Sequence, residues 1–450
     1  MSTIRFTLFS LTIFAVVGVV VAHGPSWFAV SYSNNDPLEF ADNEPHEFED
    51  VAEEPDEPLL PDDRPVVDHV PLPEAVKAIY MSACVAGTPS FRNDLVQLVL
   101  ETELNSIMID IKDYSGTLAF RPESETWMPA WQASKCGARD MREFIAELHE
   151  HDIFVIGRIT VFQDPFAATR QPDLAVLRQD GSVWADHKGL GFIDVAATDF
   201  WDDIIELSIE SYNLGFDELN FDYIRYPSDG NMRDAVFPHT AVSSYPDDKP
   251  ANLEAFFVYL HEAITDPDNF AAVRHENTGR ETAIPWTSAD TFGMTTTNFD
   301  HLGIGQIQER AAPYFDFIAP MVYPSHYPPN WNNFANPNHY PYEVVYTAMR
   351  AGVTRMQATT TRLTGFQHER IGTTTPAVYS KPAFGPERLR TWIQDFNYGG
   401  TYGPEEVRAQ IQASYDAGVE SWMLWAPSNR YTREALLPYY SGRFGSSQPQ

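Results

Sequence analysis

The chain has 450 residues, 43% hydrophobic and 21% charged, with 30 Lys and Arg against 63 Asp and Glu for a formal net charge of -33. That is enough chain for one large domain or two ordinary ones around a buried core. So acidic a balance argues against nucleic acid as a partner, since phosphate binding needs a cationic face, and it disfavours anionic polymers in favour of neutral or cationic ones. Aromatic residues reach 13%, a surplus that a sugar-binding cleft would use for stacking, although a well-packed core accounts for part of it.

Residues 1–24 open with one positive charge near the N-terminus, and Phe6 to Ala22 is an unbroken run of apolar or small residues. This reads as a secretory signal or an uncleaved membrane anchor, so the protein is expected to be extracytoplasmic, with membrane attachment through residues 6–22 as one outcome. A buried helix of the folded domain is a poor reading, because the stretch after it gives such a helix nothing to pack against. Residues 25–74 form an acidic, proline-rich stretch: between 31 and 70 stand 14 Asp or Glu and one basic residue, Arg64, broken by prolines at 37, 45, 55, 58, 61 and 65. Such a segment predicts a disordered, self-repelling linker.

From residue 75 to about 440, apolar runs alternate with amphipathic stretches, the pattern of repeated βα units. The first strand is read as Val76–Cys84, followed by a helix over Phe91–Thr102; the second as Ser106–Asp113, with a helix Asp140–His151; the third as Ile153–Phe162. A helix Asp199–Leu214 leads to strand four, Asp217–Arg225, and an excursion Pro227–Pro250 precedes a helix Leu253–Ile264. Strand five is placed at Thr282–Thr287, a helix at Gly305–Tyr314, strand six at Phe317–Tyr323 and a helix at Tyr342–Ala351. Strand seven is Leu389–Phe396, followed by a helix Pro404–Gly418 and strand eight, Ser421–Ala426. The expected fold is α/β, a (β/α)8 TIM barrel with long βα loops. A doubly wound sheet is the alternative, disfavoured because no Gly-rich phosphate loop follows the first strand.

The two cysteines, Cys84 and Cys136, both fall near one end of such a barrel, which allows either a disulfide in an oxidising compartment or two buried thiols. No His or Cys spacing suggests a metal site, and no cofactor motif appears.

In a barrel, chemistry sits at the carboxyl ends of the strands. Strand four places Glu218, Asn220 and Asp222 on one face by its period of two, and carboxylates inside a barrel need partners or a purpose. Their structural reading is an ion network with Arg225 or Lys112. Strand two places Asp110 and Lys112 on a common face as substrate-binding candidates, with mutual neutralisation as the other reading. Arg158, Asn220, Arg225, Tyr323, His326, Gln394, Asp395 and Trp425 complete the substrate-binding candidates, while Asp164 reads as a turn residue. Glycoside hydrolysis needs two carboxyl groups flanking the scissile bond. Asp222 as nucleophile or base and Asp290 as acid are the favoured pair, with Asp110 or Asp395 as replacements for Asp290. A non-catalytic glycan-binding barrel is the competing reading. The oligomeric state is not legible.

Five motifs in order, Ile109-Asp110-Ile111-Lys112-Asp113, Phe221-Asp222-Tyr223-Ile224-Arg225-Tyr226-Pro227, Ala289-Asp290-Thr291-Phe292-Gly293, Pro320-Met321-Val322-Tyr323-Pro324-Ser325-His326-Tyr327 and Trp392-Ile393-Gln394-Asp395-Phe396, resemble a bacterial and archaeal family of glycoside-hydrolase TIM barrels that was formerly a domain of unknown function. The resemblance implies a secreted or surface-bound barrel acting on glycans, with Asp222 as the leading catalytic residue. Strand four is also similar to that of chitinase-like barrels, but Ile224 stands where their catalytic Glu belongs, so their substrate-assisted mechanism is not implied.

Overall fold

The computed structural model describes residues 64–439; the expectations for 1–24 and for most of the acidic stretch lie outside the described residues. Among the described residues no helix is long and apolar enough to cross a membrane. Eight parallel strands close a barrel in sequence order: β1 (Lys77–Met81), β2 (Ser106–Lys112), β3 (Phe154–Thr160), β4 (Glu218–Asp222), β5 (Trp286–Phe292), β6 (Phe317–Met321), β7 (Arg390–Gln394) and β8 (Ser421–Trp425). The connecting helices are α1 (Pro89–Glu101), α2 (Met141–Glu150), α3 (Thr198–Leu214), α4 (Lys249–Ile264), the single turn α5 (Gln308–Ala311), α6 (Pro341–Gln357) and α7 (Pro404–Ala417). The fold is thus the (β/α)8 barrel.

The period of two in each strand divides the apolar residues between two cores. Ile79, Ile107, Ile109, Val155, Leu219, Phe221 and Leu424 face outward and pack with the helices. Ala78, Tyr80, Met108, Phe154, Ile156, Ala319, Trp392 and Met423 fill the lumen. Outside, α3 buries Phe200, Trp201, Ile204, Leu207 and Tyr212 at helical spacing and stops at Gly215, whose φ of 129° suits a residue without Cβ.

Several boundaries differ from expectation. The first strand ends at Met81, because Ser82 caps a turn of helix over Ala83–Ala86 that contains Cys84. Strand five, expected at Thr282–Thr287, runs instead from Trp286 to Phe292, since pairing to β4 begins with Trp286 opposite Glu218. Asp290 therefore lies within a strand, not after one. The helix expected over Gly305–Tyr314 shrinks to one turn, with Gly305 at a φ of 89° before it and Pro313 just beyond.

The end of the expected linker is ordered. Val66–Asp68 pairs in parallel with Arg274–Glu276, Arg64 Nη1 donates to the Ala271 carbonyl at 2.8 Å, and Val67 and His69 are buried. Residues 64–74 thus pack on the folded unit despite their charge and prolines, because the strand finds a sheet partner. Cys84 and Cys136 are joined in a disulfide, with Cα atoms 4.6 Å apart.

Candidate active site

Three inward residues of β4 form three levels. At the lowest, Arg390 Nη1 on β7 donates to both Glu218 oxygens at 2.6 and 2.7 Å, a fully buried ion pair. One level up, Asn220 Nδ2 donates to Ser288 Oγ (2.9 Å) and to Asp290 Oδ1 (3.0 Å), both on β5. At the top, Asp222 Oδ2 accepts from Arg158 Nη2 (2.5 Å) and Nε (3.2 Å), and Oδ1 from the Tyr223 N–H (2.6 Å). The other arm of Arg158 donates to Asp110 Oδ1 at 2.8 Å, and Asp110 Oδ2 accepts the Tyr80 hydroxyl at 2.5 Å. One guanidinium from β3 thus serves carboxylates on β2 and β4.

Asp290 is the exception among these carboxyl groups. The register pairs Phe221 with Ala289, so Asp222 and Asp290 follow at one level on strands roughly 4.8 Å apart. Asn220 and the Trp392 indole (Nε1, 2.8 Å) both donate to Oδ1 of Asp290, leaving Oδ2 for a proton. Burial, and then the neighbouring charge of Asp222, push the Asp290 carboxyl up to about 8. The pair thus joins a carboxyl group that holds its proton up to about 8 with one that is ion-paired to Arg158.

Both open into a cavity of about 310 Å³ at the carboxyl end of the barrel, near the lower end of the roughly 300–1,000 Å³ usual for small-molecule sites. Its walls are aromatic: Trp392 and Trp425 meet edge to face with centroids 5.7 Å apart, and Tyr323 and Tyr327 stand nearby. Burial, with Asp290 and Asp222 close by, holds the Tyr323 phenol well above its ordinary value.

Of the expected substrate-binding residues, Arg158, Arg225, Tyr323, His326 and Trp425 line this cavity. Asn220 and Asp110 sit behind it and hold Asp290 and Arg158 in place. Three further expectations are corrected. Lys112 does not share a face with Asp110, because the β2–β3 register shifts between the two residues; its ammonium is sealed outside the lumen against Asp164 (2.7 Å) and the Thr160 carbonyl (2.5 Å). Asp164 also caps a short helix by accepting the Ala167 N–H, as its turn reading implied. Gln394 is consumed by the chain, accepting from the Ser325 N–H (3.1 Å) and donating to the Phe396 carbonyl (2.9 Å). Asp395 accepts the hydroxyl (2.6 Å) and N–H (2.8 Å) of Thr432 and so fastens the segment after β8. Among the cavity-lining residues overlooked is Trp392. Alternation along β7 puts Arg390, Trp392 and Gln394 on one face, which was the available signal.

Residues 78–431 match the model of a protein family described as "Putative glycosyl hydrolase domain". No curated protein sequence matches the chain. Among solved structures, a hypothetical protein from Ruminiclostridium thermocellum ATCC 27405 is 27% identical, covering 44% of this chain and 95% of its own, with a TM-score of 0.36. The PgaB (BpsB) glycoside hydrolase domain from Bordetella bronchiseptica is 11% identical over 83% of this chain and 99% of its own, with a TM-score of 0.50, a likeness of fold. Alpha-L-fucosidase isoenzyme 2 from Paenibacillus thiaminolyticus is 14% identical over 83% of this chain and 47% of its own, with a TM-score of 0.47.

Proposed function

The chain belongs to the family described as "Putative glycosyl hydrolase domain", and from that premise we propose that it hydrolyses O-glycosidic bonds of an extracytoplasmic poly- or oligosaccharide with Asp290 as general acid and Asp222 as nucleophile or base. The observation that carries this reading is the split of one carboxyl pair. A protonated Asp290 can deliver its proton to the departing glycosidic oxygen. Asp222, aligned by Arg158, then attacks the anomeric carbon or takes the proton of an attacking water. Arg158 is ion-paired with Asp222, and the Trp392, Trp425 and Tyr323 rings offer stacking faces for sugar.

An extracytoplasmic setting is supported by the Cys84–Cys136 disulfide, a bond that persists in oxidising compartments, and by the apolar run of residues 6–22, read as a signal or a membrane attachment. The acidic balance makes nucleic acid a poor partner.

The test is release of reducing sugar from a panel of neutral, amino and acidic polysaccharides by the full chain and by Asp222→Asn. Release that the substitution abolishes, with circular dichroism unchanged, supports the assignment. Release that survives it removes Asp222 from the chemistry. Glycan binding without release from any member of the panel would favour the glycan-binding reading.

A further inference from the structure

The cavity does not share the acidic excess of the whole chain: Arg158, Arg225 and Lys188 line it beside Asp222, Asp229 and Asp290. Six arginines are buried among the described residues: Arg92, Arg158, Arg225, Arg310, Arg355 and Arg390. Five are ion-paired, with Asp140, Asp110 and Asp222, Glu254, Glu309 and Glu218 respectively. Arg225 alone has no carboxylate partner, although it is only 6% exposed. Nη1 donates to the Tyr226 carbonyl (3.0 Å) and the Ser228 hydroxyl (3.3 Å). The guanidinium lies over the rings of Tyr223 (4.6 Å) and Phe292 (4.9 Å) and lines the cavity. Aromatic contact on its faces leaves the donor edge as the part a ligand meets. Burial pulls Arg225 below its ordinary value even with Asp222 and Asp229 in the vicinity, as befits a cation whose counter-charge is incomplete.

A second cation lies on the same cavity. Lys188, exposed on the loop between β3 and α3, lines it and is also without a carboxylate partner. Asp229 on the same lip is exposed and accepts from the Ser228 hydroxyl at 3.3 Å, so solvent screens it. A buried guanidinium is retained without an internal counterion most readily where a ligand supplies one.

We propose that Arg225 and Lys188 form a subsite for an anionic substituent, so that the sugar bound beside the Asp222–Asp290 pair carries a carboxylate or a sulfate. This rests on the hydrolase reading above and narrows its substrate class. The planar guanidinium fork matches either group in a two-point hydrogen bond, and the ammonium adds charge without directional demand. The acidic surface of the chain does not contradict this. Its field is screened over about 8 Å at physiological ionic strength, whereas Arg225 acts at contact.

The experiment uses the full chain and matched substrates: uronate-bearing polysaccharides beside their carboxyl-reduced forms, and sulfated glycans beside their desulfated forms. The expected result is a kcat/KM at least tenfold higher on one acidic form than on its neutral counterpart. Arg225→Gln should erase that preference through KM, and Lys188→Ala should reduce it about threefold. The two acidic series separate a carboxylate ligand from a sulfate. Equal or faster cleavage of the neutral forms overturns the subsite and leaves the hydrolase reading standing. Absence of cleavage on every substrate, with the protein folded, overturns both. Should Arg225→Gln fail to fold, Lys188→Glu at its exposed position decides: an undiminished preference for the acidic form in that variant overturns the proposal.

Discussion

The two poles of the barrel hold buried aspartates under opposite conditions, Asp217 just before β4 and Asp290 within β5. At the lower end, Asp217 accepts four hydrogen bonds: His69 Nδ1 (3.1 Å) and the Val70 N–H (3.0 Å) on Oδ1, His149 Nε2 (3.0 Å) and the Val155 N–H (2.7 Å) on Oδ2. Burial pushes its carboxyl up, yet the hydrogen bonds and charges of His149 and His69 outweigh that and hold it below the ordinary range. At the upper end Asp290 is as deeply buried but accepts two hydrogen bonds on one oxygen and faces a second carboxylate. Depth is equal; the supply of donors decides. A carboxylate saturated with donors is a structural anchor, and one left short of them keeps a proton it can give away.

The largest expected effect that tests this contrast is on activity. Asp290→Asn should lower kcat/KM by about 10²–10⁴-fold, the usual worth of a positioned acid. The amide keeps the acceptor that Asn220 and Trp392 need, so the fold should tolerate it. Its stability should even rise above that of the parent as pH increases. Because the folded Asp290 value is raised from 3.8 to about 8, the unfolded chain loses this proton first, and stability drains as pH climbs through that window. Thermal unfolding from pH 4 to 9, beside the kcat/KM profile, checks both parts; activity should fall tenfold per unit above about pH 8. A variant that retains activity would break the contrast at its upper end.

Asp217→Asn should behave in the opposite way, losing about 3–5 kcal/mol by urea unfolding because an amide cannot accept on both sides from paired, buried donors. Its folded fraction should keep normal kcat/KM. The sign of the pH effect also reverses: with a depressed folded value, the Asp217 contribution is present above the ordinary value of 3.8 and is lost as pH falls below it. Equal stability of the two Asn variants at pH 7 would mean that donor count is not what separates them.

The upper end, poorer in such anchors, carries the covalent tie. Replacing Cys84 and Cys136 with Ser opens a link across 52 residues of sequence, which loop-closure entropy values at about 4 kcal/mol. Loss of stability with unchanged catalysis per folded molecule is the expected outcome of chemical denaturation and kinetics. The smallest effect is reserved for Trp392→Phe, which removes one donor from Asp290. It should cost about 1 kcal/mol and move the alkaline limb of the kcat/KM profile upward, since the lost hydrogen bond lowered the Asp290 value. A downward shift of that limb would show that Trp392 acts on Asp290 by another route.

The barrel was legible because its period-two strands and intervening helices are local signals, and Glu218, Asn220 and Asp222 were placed on one face for the same reason. What failed depended on partners remote in sequence. Arg225 or Lys112 was the expected partner of the strand-four carboxylates, whereas Arg158 and Arg390 hold them, the latter 172 residues from Glu218. Lys112 was misplaced because alternation assumes an unbroken register, and β2 shifts its register after Asp110. Gln394 and Asp395 have polar side chains near a strand end like any site residue. Only the fold reveals that Ser325 and Thr432 already occupy them.

The parallel strand pair Val66–Asp68 and Arg274–Glu276 also gives the molecule a direction. It leads into His69 and Val70, which meet Asp217 where β4 begins. At the other end of the described chain, Thr102 bridges Pro438 and the Tyr439 N–H donates to the Glu101 carbonyl, just before β2 begins. The first and last described segments therefore share the pole opposite the cavity mouth. Neither segment lines the cavity, so substitutions that loosen them should cost stability and leave catalysis per folded molecule unchanged.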